Sequence, residues 1–296
     1  MMKNLLLIAL LLGLSAGLFA CGETENVTTA GITAKAQGAA EATTLSEEES
    51  AWQAEYEAQY PFTYKAGGFT IRYYVENSMA FVDYDGTWMP DDDADDTFVV
   101  PVRIDGMPVR WAWEEADEDV ALRKLHCGEL VVPAGIKLVS MDLSSAETVR
   151  LGPDVESFII SRGVVERIEV DPKSEHLRGI DGVLFNRDGT VLKQYPTGRQ
   201  QSRYQIPDGT MAIAAWALWF SRPVALEEVD IPASVVHFPD NLDDLINTYG
   251  YQLTFVVAPG SPAASYFHAQ QRSEAYLNAM EETGEEPFLL RERGMG

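Results

Sequence analysis

The chain has 296 residues, 46% of them hydrophobic and 23% charged, which is the composition of a folded protein with a sizeable core. Aspartate and glutamate (46) outnumber lysine and arginine (22), so the formal net charge is −24 and binding to nucleic acid or to an anionic surface is disfavoured. Two cysteines and four scattered histidines exclude a disulfide framework and offer no zinc cluster. The sequence contains neither a P-loop nor a dinucleotide fingerprint, so we expect no cofactor.

The amino terminus is arranged like an export signal. Lys3 precedes an apolar run from Leu5 to Phe19, which is shorter than the roughly 20 residues of a membrane span. Leu18-Phe19-Ala20-Cys21 resembles the cleavage box of bacterial lipoproteins. The resemblance implies that a signal peptide (1–20) is removed and that Cys21 is lipidated. Acyl chains there would anchor the protein to a bacterial membrane outside the cytoplasm, at the cell surface or outer membrane. The alternative is an ordinary secretory signal followed by a chance cysteine.

Three segments precede the main body. Residues 21–45 are rich in Thr, Ala, Gly and Glu, a composition typical of a flexible tether. The stretch from Leu45 to Tyr60, which overlaps the start of the segment 46–97, has a serine-initiated, acidic first turn and predicts a helix. Phe69 to Tyr84 alternates enough to predict strands that cap the first repeat.

The body repeats a short unit of β-forming residues followed by a proline. The prolines of the seven units are Pro101, Pro133, Pro153, Pro172, Pro207, Pro232 and Pro259. Most of them follow one another at or near the roughly 20–29 residues that separate leucine-rich repeats, and the two longest intervals contain insertions. Proline ends each strand because it cannot donate to the ladder, and stacked units would share one core. The alternative is an unrelated β-sandwich whose strands happen to end in proline.

Several segments resemble the BspA-like leucine-rich repeat proteins. YQIPDGTMAIAAWALWF (204–220) matches one repeat, and 226–232 opens the next. Residues 168–196 resemble the inserted β-hairpin of that family, with Asp188-Gly189 as a hairpin turn, and 99–117 resemble its first repeat. The resemblance implies a β-rich repeat solenoid. This would be a short, divergent, right-handed leucine-rich-repeat solenoid over 98–260, with the hairpin inserted and with helical ends.

The match has departures, and it stops before the carboxyl terminus. Ala112 and Asp117 replace an isoleucine and a phenylalanine of the repeat, and the units near Pro133 and Pro153 are short, so we expect irregular packing there. The terminal region 261–296 predicts one helix from Ser261 to Glu282, covering the open end of the solenoid, and then a frayed tail.

Charge is distributed unevenly along the chain. Residues 76–119 contain 14 acids and 2 bases, whereas 121–206 contain 11 acids and 12 bases. We therefore expect a negative patch that favours cationic partners. The run 91–96, with Asp83 and Asp85 nearby, raises a calcium hypothesis, but it lacks the spacing and closing glutamate of an EF-hand, and a solvated, repelling loop is the preferred interpretation.

Four tryptophans lie in the variable parts of two repeats and are the candidate ligand-binding residues: Trp111, Trp113, Trp216 and Trp219. If exposed, they would anchor a protein or a surface glycan, because aromatic residues dominate interface hot spots. The alternative is that they fill gaps left by missing repeat residues.

No catalytic or metal-binding constellation stands out. Cys127 adjoins His126, but adjacent residues of a strand face opposite sides, so a half-buried structural cysteine is preferred over a nucleophile. His176, His237 and His268 lack the spacing of metal ligands.

We therefore expect no enzymatic activity. The resemblance implies a lipid-anchored extracytoplasmic protein that binds proteins or surfaces, as in adhesion. The alternatives are a structural lipoprotein of envelope assembly with no host ligand and, less favoured, a carboxylate-based enzyme.

Overall fold

The computed structural model describes residues 47–82, 90–91, 96–111, 120–220, 224–248 and 252–294. The signal peptide (1–20), the tether (21–45) and Cys21 lie outside these residues, so those expectations stay predictions. Within the described part no helix is long and apolar enough to cross a membrane.

The described residues form strands joined by turns and a few short helices. The strands are β1 (Phe62–Ala66), β2 (Phe69–Glu76), β3 (Met79–Val82), β4 (Thr97–Val99), β5 (Arg103–Ile104), β6 (Met107–Trp111), β7 (Val120–Arg123), β8 (His126–Val132), β9 (Leu138–Asp142), β10 (Ser145–Leu151), β11 (Ser157–Ser161), β12 (Val164–Val170), β13 (Leu177–Ile180), β14 (Val183–Asn186), β15 (Val191–Gln194), β16 (Arg203–Gln205), β17 (Ala212–Ile213), β18 (Glu228–Asp230), β19 (Leu253–Val257) and β20 (Phe288–Glu292). The helices are α1 (Glu47–Gln59), α2 (Leu242–Leu245), α3 (Pro262–Gln270) and α4 (Glu274–Thr283).

The amino-terminal elements form a sheet of five strands in the order β1-β2-β3-β6-β5. Strands β1 to β3 are antiparallel, and β3 then pairs in parallel with β6, the last strand of the segment that resembles the first repeat. Helix α1 contacts this sheet through an ion pair between Glu57 and Arg72 (2.9 Å). Tyr60, which directly follows the helix, packs its ring against that of Tyr74 of β2, with the centroids 5.7 Å apart. Helix α1 and strands β1 to β3 lie within the described part of the segment 46–97.

Two hairpins of the chain use the same Asp-Gly turn. Asp105-Gly106 connects β5 to β6 and Asp181-Gly182 connects β13 to β14, and in both turns both residues have positive φ (51° and 80°; 50° and 79°). A two-residue turn with positive φ at both positions matches the right-handed twist of the strands, and it strongly favours Asp-Gly. The second of these turns opens the inserted hairpin, and the predicted turn at Asp188-Gly189 then connects β14 to β15, where Gly189 donates its N–H to the carbonyl of Asn186 (2.9 Å).

The central coils, which span 120–170, are equal in length and have a strand on each of two sides. On one side β8, β10 and β12 are parallel, with His126, Ser145 and Val164 in register. On the other side β7, β9 and β11 are parallel, with Val120, Val139 and Phe158 in register. The prediction of irregular packing for the short units near Pro133 and Pro153 is therefore wrong. Equal coil lengths allow the backbone groups of one strand to pair with the same positions of the next.

Inward-facing residues of the coils follow one spacing. In β8 the buried positions are Cys127, Leu130 and Val132, so a gap of three is followed by a gap of two. The same spacing recurs in Ala146, Val149 and Leu151 of β10 and in Leu226, Val229 and Ile231 around β18. A regular strand would bury every second residue. The recurring gap of three is the L-x-x-L-x-L pattern of leucine-rich repeats.

The carboxyl-terminal strands β16, β18, β19 and β20 form a further parallel sheet with longer coils, the carboxyl-terminal sheet. Its last crossover contains two helices rather than the single predicted one, because Ser261 and Ser273 each begin a helix by accepting an N–H three positions on. The expected frayed tail is replaced by β20, whose Phe288 is fully buried. The repeat sheet therefore extends beyond position 260.

The interior is divided into two hydrophobic clusters that meet at the inserted hairpin. The first runs from Ala66 to Leu184 and the second from Val183 to Phe288. Neighbouring residues of β14 thus face opposite clusters, as alternation along a strand requires. The hairpin joins the central coils to the longer coils that carry the candidate site.

Candidate functional site

Trp216 is an exposed aromatic residue in a strained backbone conformation. Its φ is +61°, and its surface is 55% exposed. The next two residues, Ala217 and Leu218, are fully buried in the second hydrophobic cluster. A left-handed conformation in a bulky residue costs about 1–3 kcal/mol and persists only when surrounding contacts impose it.

Contacts with the next coil hold this turn in place. The N–H of Trp216 donates to the carbonyl of Asp244 in α2, 2.5 Å away. Earlier in the same coil, the carbonyl of Met211 accepts hydrogen bonds from Val236 (2.9 Å) and His237 (3.1 Å). Met211 is 49% exposed and Val236 is 44% exposed. Backbone pairing therefore places three exposed apolar side chains on two adjacent coils.

A small pocket lies between the segment 236–240 and helix α3. It has a volume of about 290 Å³, and its lining includes Phe238, Asp240, Tyr266 and Gln270. The rings of Phe238 and Tyr266 are stacked, with centroids 4.4 Å apart and planes inclined by 12°. The side-chain amide of Gln270 donates to the carbonyl of Asp240 (3.3 Å), which fixes the 236–240 segment against α3.

The hydroxyl of Tyr266 is buried, and it has no hydrogen-bond partner among the residues that the structure describes. Burial raises the pKa of this phenol, and the carboxylates of Asp244 and Asp240 raise it further. The phenol therefore stays neutral at physiological pH, with both carboxylates near enough to affect it. These contacts link the pocket to the turn of Trp216 through Asp244.

We name this region the aromatic–acidic surface and define it as Met211, Trp216, Val236, Phe238, Asp240, Asp244 and Tyr266. The sequence from 204 to 271 has seven aspartates and glutamates and a single basic residue of the Lys/Arg type, Arg222, which lies outside the described residues. The region combines exposed apolar area with negative charge. Such a surface can bind a partner that is apolar in part and cationic.

The other predicted tryptophans have different positions. Trp219 is half-buried, and its N–H donates to the carbonyl of Trp216 (3.2 Å), so these two share one turn. Trp111 ends β6 in the amino-terminal sheet, and its side chain is not described; Trp113 lies outside the described residues. The structure therefore brings together Trp216 and Trp219, and it places Trp111 in a different sheet.

Only the ends of the acidic run 91–96 are described. Asp91 accepts hydrogen bonds from Lys65 (2.5 Å) and Thr70 (3.0 Å), and the pKa of Asp91 is lowered chiefly by Lys65. The carbonyl of Asp96 accepts the N–H groups of Gly128 and Glu129. Positions 92–95, Asp83 and Asp85 lie outside the described residues. In the part of the chain that is described, no group of three carboxylate, histidine or cysteine side chains could hold a metal ion.

Cys127 is buried in the first hydrophobic cluster, as a structural cysteine should be. Burial raises the pKa of its thiol to about 12, with Asp96 and Glu129 adding to the effect. His126 directs its Nδ1 to the hydroxyl of Ser145 (2.7 Å). The thiol is therefore protonated and packed, whereas a nucleophile needs the thiolate.

Sequence reasoning missed most of the aromatic–acidic surface. Phe238, Asp240, Asp244 and Tyr266 are unremarkable in the sequence, because each belongs to a loop or helix between repeats. The spacing between repeats could have indicated part of this surface. Ala212 pairs with His237 at the corresponding position of the next coil, and this pairing places the segment 236–240 beside the coil that contains Trp216.

The strand register and the inward spacing define a β-rich repeat protein of the leucine-rich-repeat type. No family model and no curated protein matches the chain. Among solved structures, it is similar to the pneumococcal vaccine antigen PcpA, at 10% identity over 80% of this chain and 100% of that chain, with a TM-score of 0.27. It is also similar to a leucine-rich repeat protein from Eubacterium ventriosum, at 14% identity over 66% of this chain and 72% of that chain, with a TM-score of 0.30.

Proposed function

We propose that this protein is a lipid-anchored, extracytoplasmic binding protein of the BspA-like type, which attaches to proteins or cell surfaces through its aromatic–acidic surface. The repeats, wound as a right-handed solenoid, supply a rigid support, and the loops between them select the partner. The protein in this proposal has no catalytic role. Its anchor is the lipidated Cys21, and the tether 21–45 gives the folded body reach beyond the membrane.

One observation supports the proposal most directly: Trp216 is more than half exposed although the two residues that follow it are buried, and its backbone is held in a costly conformation. A tryptophan that only filled a gap in the core would be buried. Strain that persists at an exposed aromatic residue points to a binding role, since such outliers cluster at ligand sites.

The first experiment tests the binding surface. The purified full-length protein is immobilised and exposed to host-surface and self-envelope extracts at two salt concentrations. We expect a specific partner that resists the higher salt and is lost in Trp216→Ala. The matched control is Leu277→Ala, since Leu277 on α4 is an exposed apolar residue (54%) outside the surface.

The outcomes separate the candidate functions. Capture of a host protein or glycan supports an adhesion-like role, whereas capture of self-envelope components alone supports the structural role in envelope assembly. Binding that disappears at moderate salt, or that Trp216→Ala leaves intact, contradicts the proposal. If the protein were instead a carboxylate-based enzyme, single Asp→Asn changes within residues 83–119 would abolish its catalytic turnover.

A second experiment tests the anchor. Cells that express the protein are labelled with a radioactive fatty acid, and we expect label in the wild-type protein and none in Cys21→Ala. Label that persists in the variant, or a wild-type protein released without label, contradicts lipidation at Cys21.

A further inference from the structure

The pocket beside α3 is suited to a cation. Two stacked aromatic rings form part of its wall, and Asp240 contributes an exposed carboxylate. Among the described residues that line it, none is a lysine or an arginine. A cation near the face of an aromatic ring and near a carboxylate is attracted by both.

The size of the pocket limits what it holds. At about 290 Å³ it lies at the lower limit of small-molecule sites, which span roughly 300–1,000 Å³. One side chain fits this space better than a whole cofactor does. Val236 is exposed on the coil that carries the pocket, and Met211 and Trp216 are exposed on the adjacent coil. These three side chains can contact the partner residues that flank the side chain bound in the pocket.

We propose that this pocket accepts an arginine side chain from a partner protein, with the guanidinium between the Phe238–Tyr266 pair and the carboxylate of Asp240. The proposal rests on the binding function proposed above and specifies the chemistry of its partner. Arginine is preferred to lysine because its planar guanidinium stacks on aromatic rings, is weakly hydrated and presents several N–H donors in a fixed geometry.

The experiment titrates the full-length protein with Nα-acetyl-arginine amide and measures binding by calorimetry at physiological salt. Nα-acetyl-citrulline amide, which has nearly the same shape and no charge, and Nα-acetyl-lysine amide are titrated in parallel. We expect saturable binding of the arginine probe, at least about fivefold tighter than the binding of either other probe. A ratio of about fivefold corresponds to the free energy of one desolvated cation–π contact.

Variants test the location. Asp240→Asn should weaken binding of the arginine probe by about fivefold or more. Asp208→Asn, which removes the same charge at another exposed position of this half of the chain, should leave it unchanged. Tyr266→Phe keeps the ring and removes only a buried hydroxyl, so it should weaken binding by less than Asp240→Asn. Circular dichroism of each variant verifies that the fold is retained.

Equal binding of the arginine, lysine and citrulline probes, or equal effects of Asp240→Asn and Asp208→Asn, would overturn the assignment, since only the general acidity of the protein would then be acting. The two proposals fail separately. If Asp240→Asn still captures the macromolecular partner, the arginine pocket is wrong and the binding function stands. If the arginine probe binds but no partner is captured, the binding function is contradicted.

Discussion

The backbone N–H of Trp216 donates to the carbonyl of Asp244, in the next coil, over 2.5 Å. This hydrogen bond holds the tryptophan in its left-handed conformation and connects it to the helix whose carboxylate lies near Tyr266. The exposed indole and the small pocket therefore belong to one supported region.

Replacing Trp216 should separate binding from stability. Both Trp216→Ala and Trp216→Gly remove the indole, so both should lose partner capture. Glycine adopts positive φ without penalty, whereas alanine retains the strain. We expect Trp216→Gly to be more stable than Trp216→Ala by about 1 kcal/mol in urea unfolding. A less stable glycine variant would mean that the backbone strain is not significant.

The thiol of Cys127 should be inert in the folded protein. In a Cys21→Ala background it is the only thiol in the sequence. Because burial raises its pKa to about 12 and covers the sulfur, we expect a thiol reagent at pH 8 to react only as the protein unfolds. The measurement is the rate of labelling against urea concentration. Rapid labelling without denaturant would contradict the burial.

The raised pKa of Cys127 makes the stability of the folded protein depend on pH. The folded pKa of Cys127 lies above the unfolded value of about 8.5, so the folded state retains the proton more strongly. Its contribution to stability is complete below about pH 8.5 and is lost as pH rises toward 12, by up to about 1.4 kcal/mol per pH unit. Cys127→Ala should therefore lose less stability between pH 8 and pH 10 than the parent protein. Identical losses would show that the thiol does not titrate on unfolding.

The central coils allow a matched test of burial. Ile168 of β12 is fully buried, whereas Ile159 of β11 is 36% exposed. Ile168→Ala should lower the free energy of unfolding by about 2–5 kcal/mol, since it removes apolar contacts and leaves a cavity. Ile159→Ala makes the same chemical change and should cost about 1 kcal/mol or less. Similar losses for both would contradict the assignment of faces.

Asp230 should be an important ion-paired carboxylate of the carboxyl-terminal sheet. It is only 6% exposed, and it contacts Arg203 of β16 (2.9 Å) and Arg293, which directly follows β20. Asp230→Ala should cost about 1–3 kcal/mol, at the low end because both arginines are partly exposed. The control is Glu156→Ala, which breaks the exposed pair with Lys137 (2.8 Å) and should cost about 0.5 kcal/mol or less. Equal costs would show that burial adds nothing to the Asp230 pairs.

Some of the fold follows from local chemistry and could be predicted. Proline follows the strand in each of the seven repeat units, and the Asp-Gly turns require little beyond their own residues, so the repeats and the inserted hairpin were visible in the sequence. The two-sided arrangement of the central coils was not predicted. Strands β9 and β11 carry no proline signal, and their pairing depends on equal coil lengths that only stacking makes effective.

Strand β20, at the carboxyl terminus, also could not be predicted from the local sequence. The sequence FLLRE (288–292) is short and lies in a charged region, so it resembles a frayed end. It becomes a strand because it pairs with β19 and because Phe288 contacts the rings of Phe255 and Phe267. Those contacts join residues that are far apart in the sequence, beyond the reach of any local pattern.

By itself the sequence determined the repeating strand-proline units, the acidic charge, the Asp-Gly turns and the apolar positions that form the core, because each depends on residue type and short spacing. Only the tertiary structure decided how far each tryptophan of the 204–220 repeat is exposed and what surrounds it. Trp216 and Trp219 belong to the same residue type and the same turn. Their exposure differs because a hydrogen bond to the carbonyl of Asp244, in the next coil, holds the backbone of Trp216 in its left-handed conformation, and a local sequence pattern does not contain that contact.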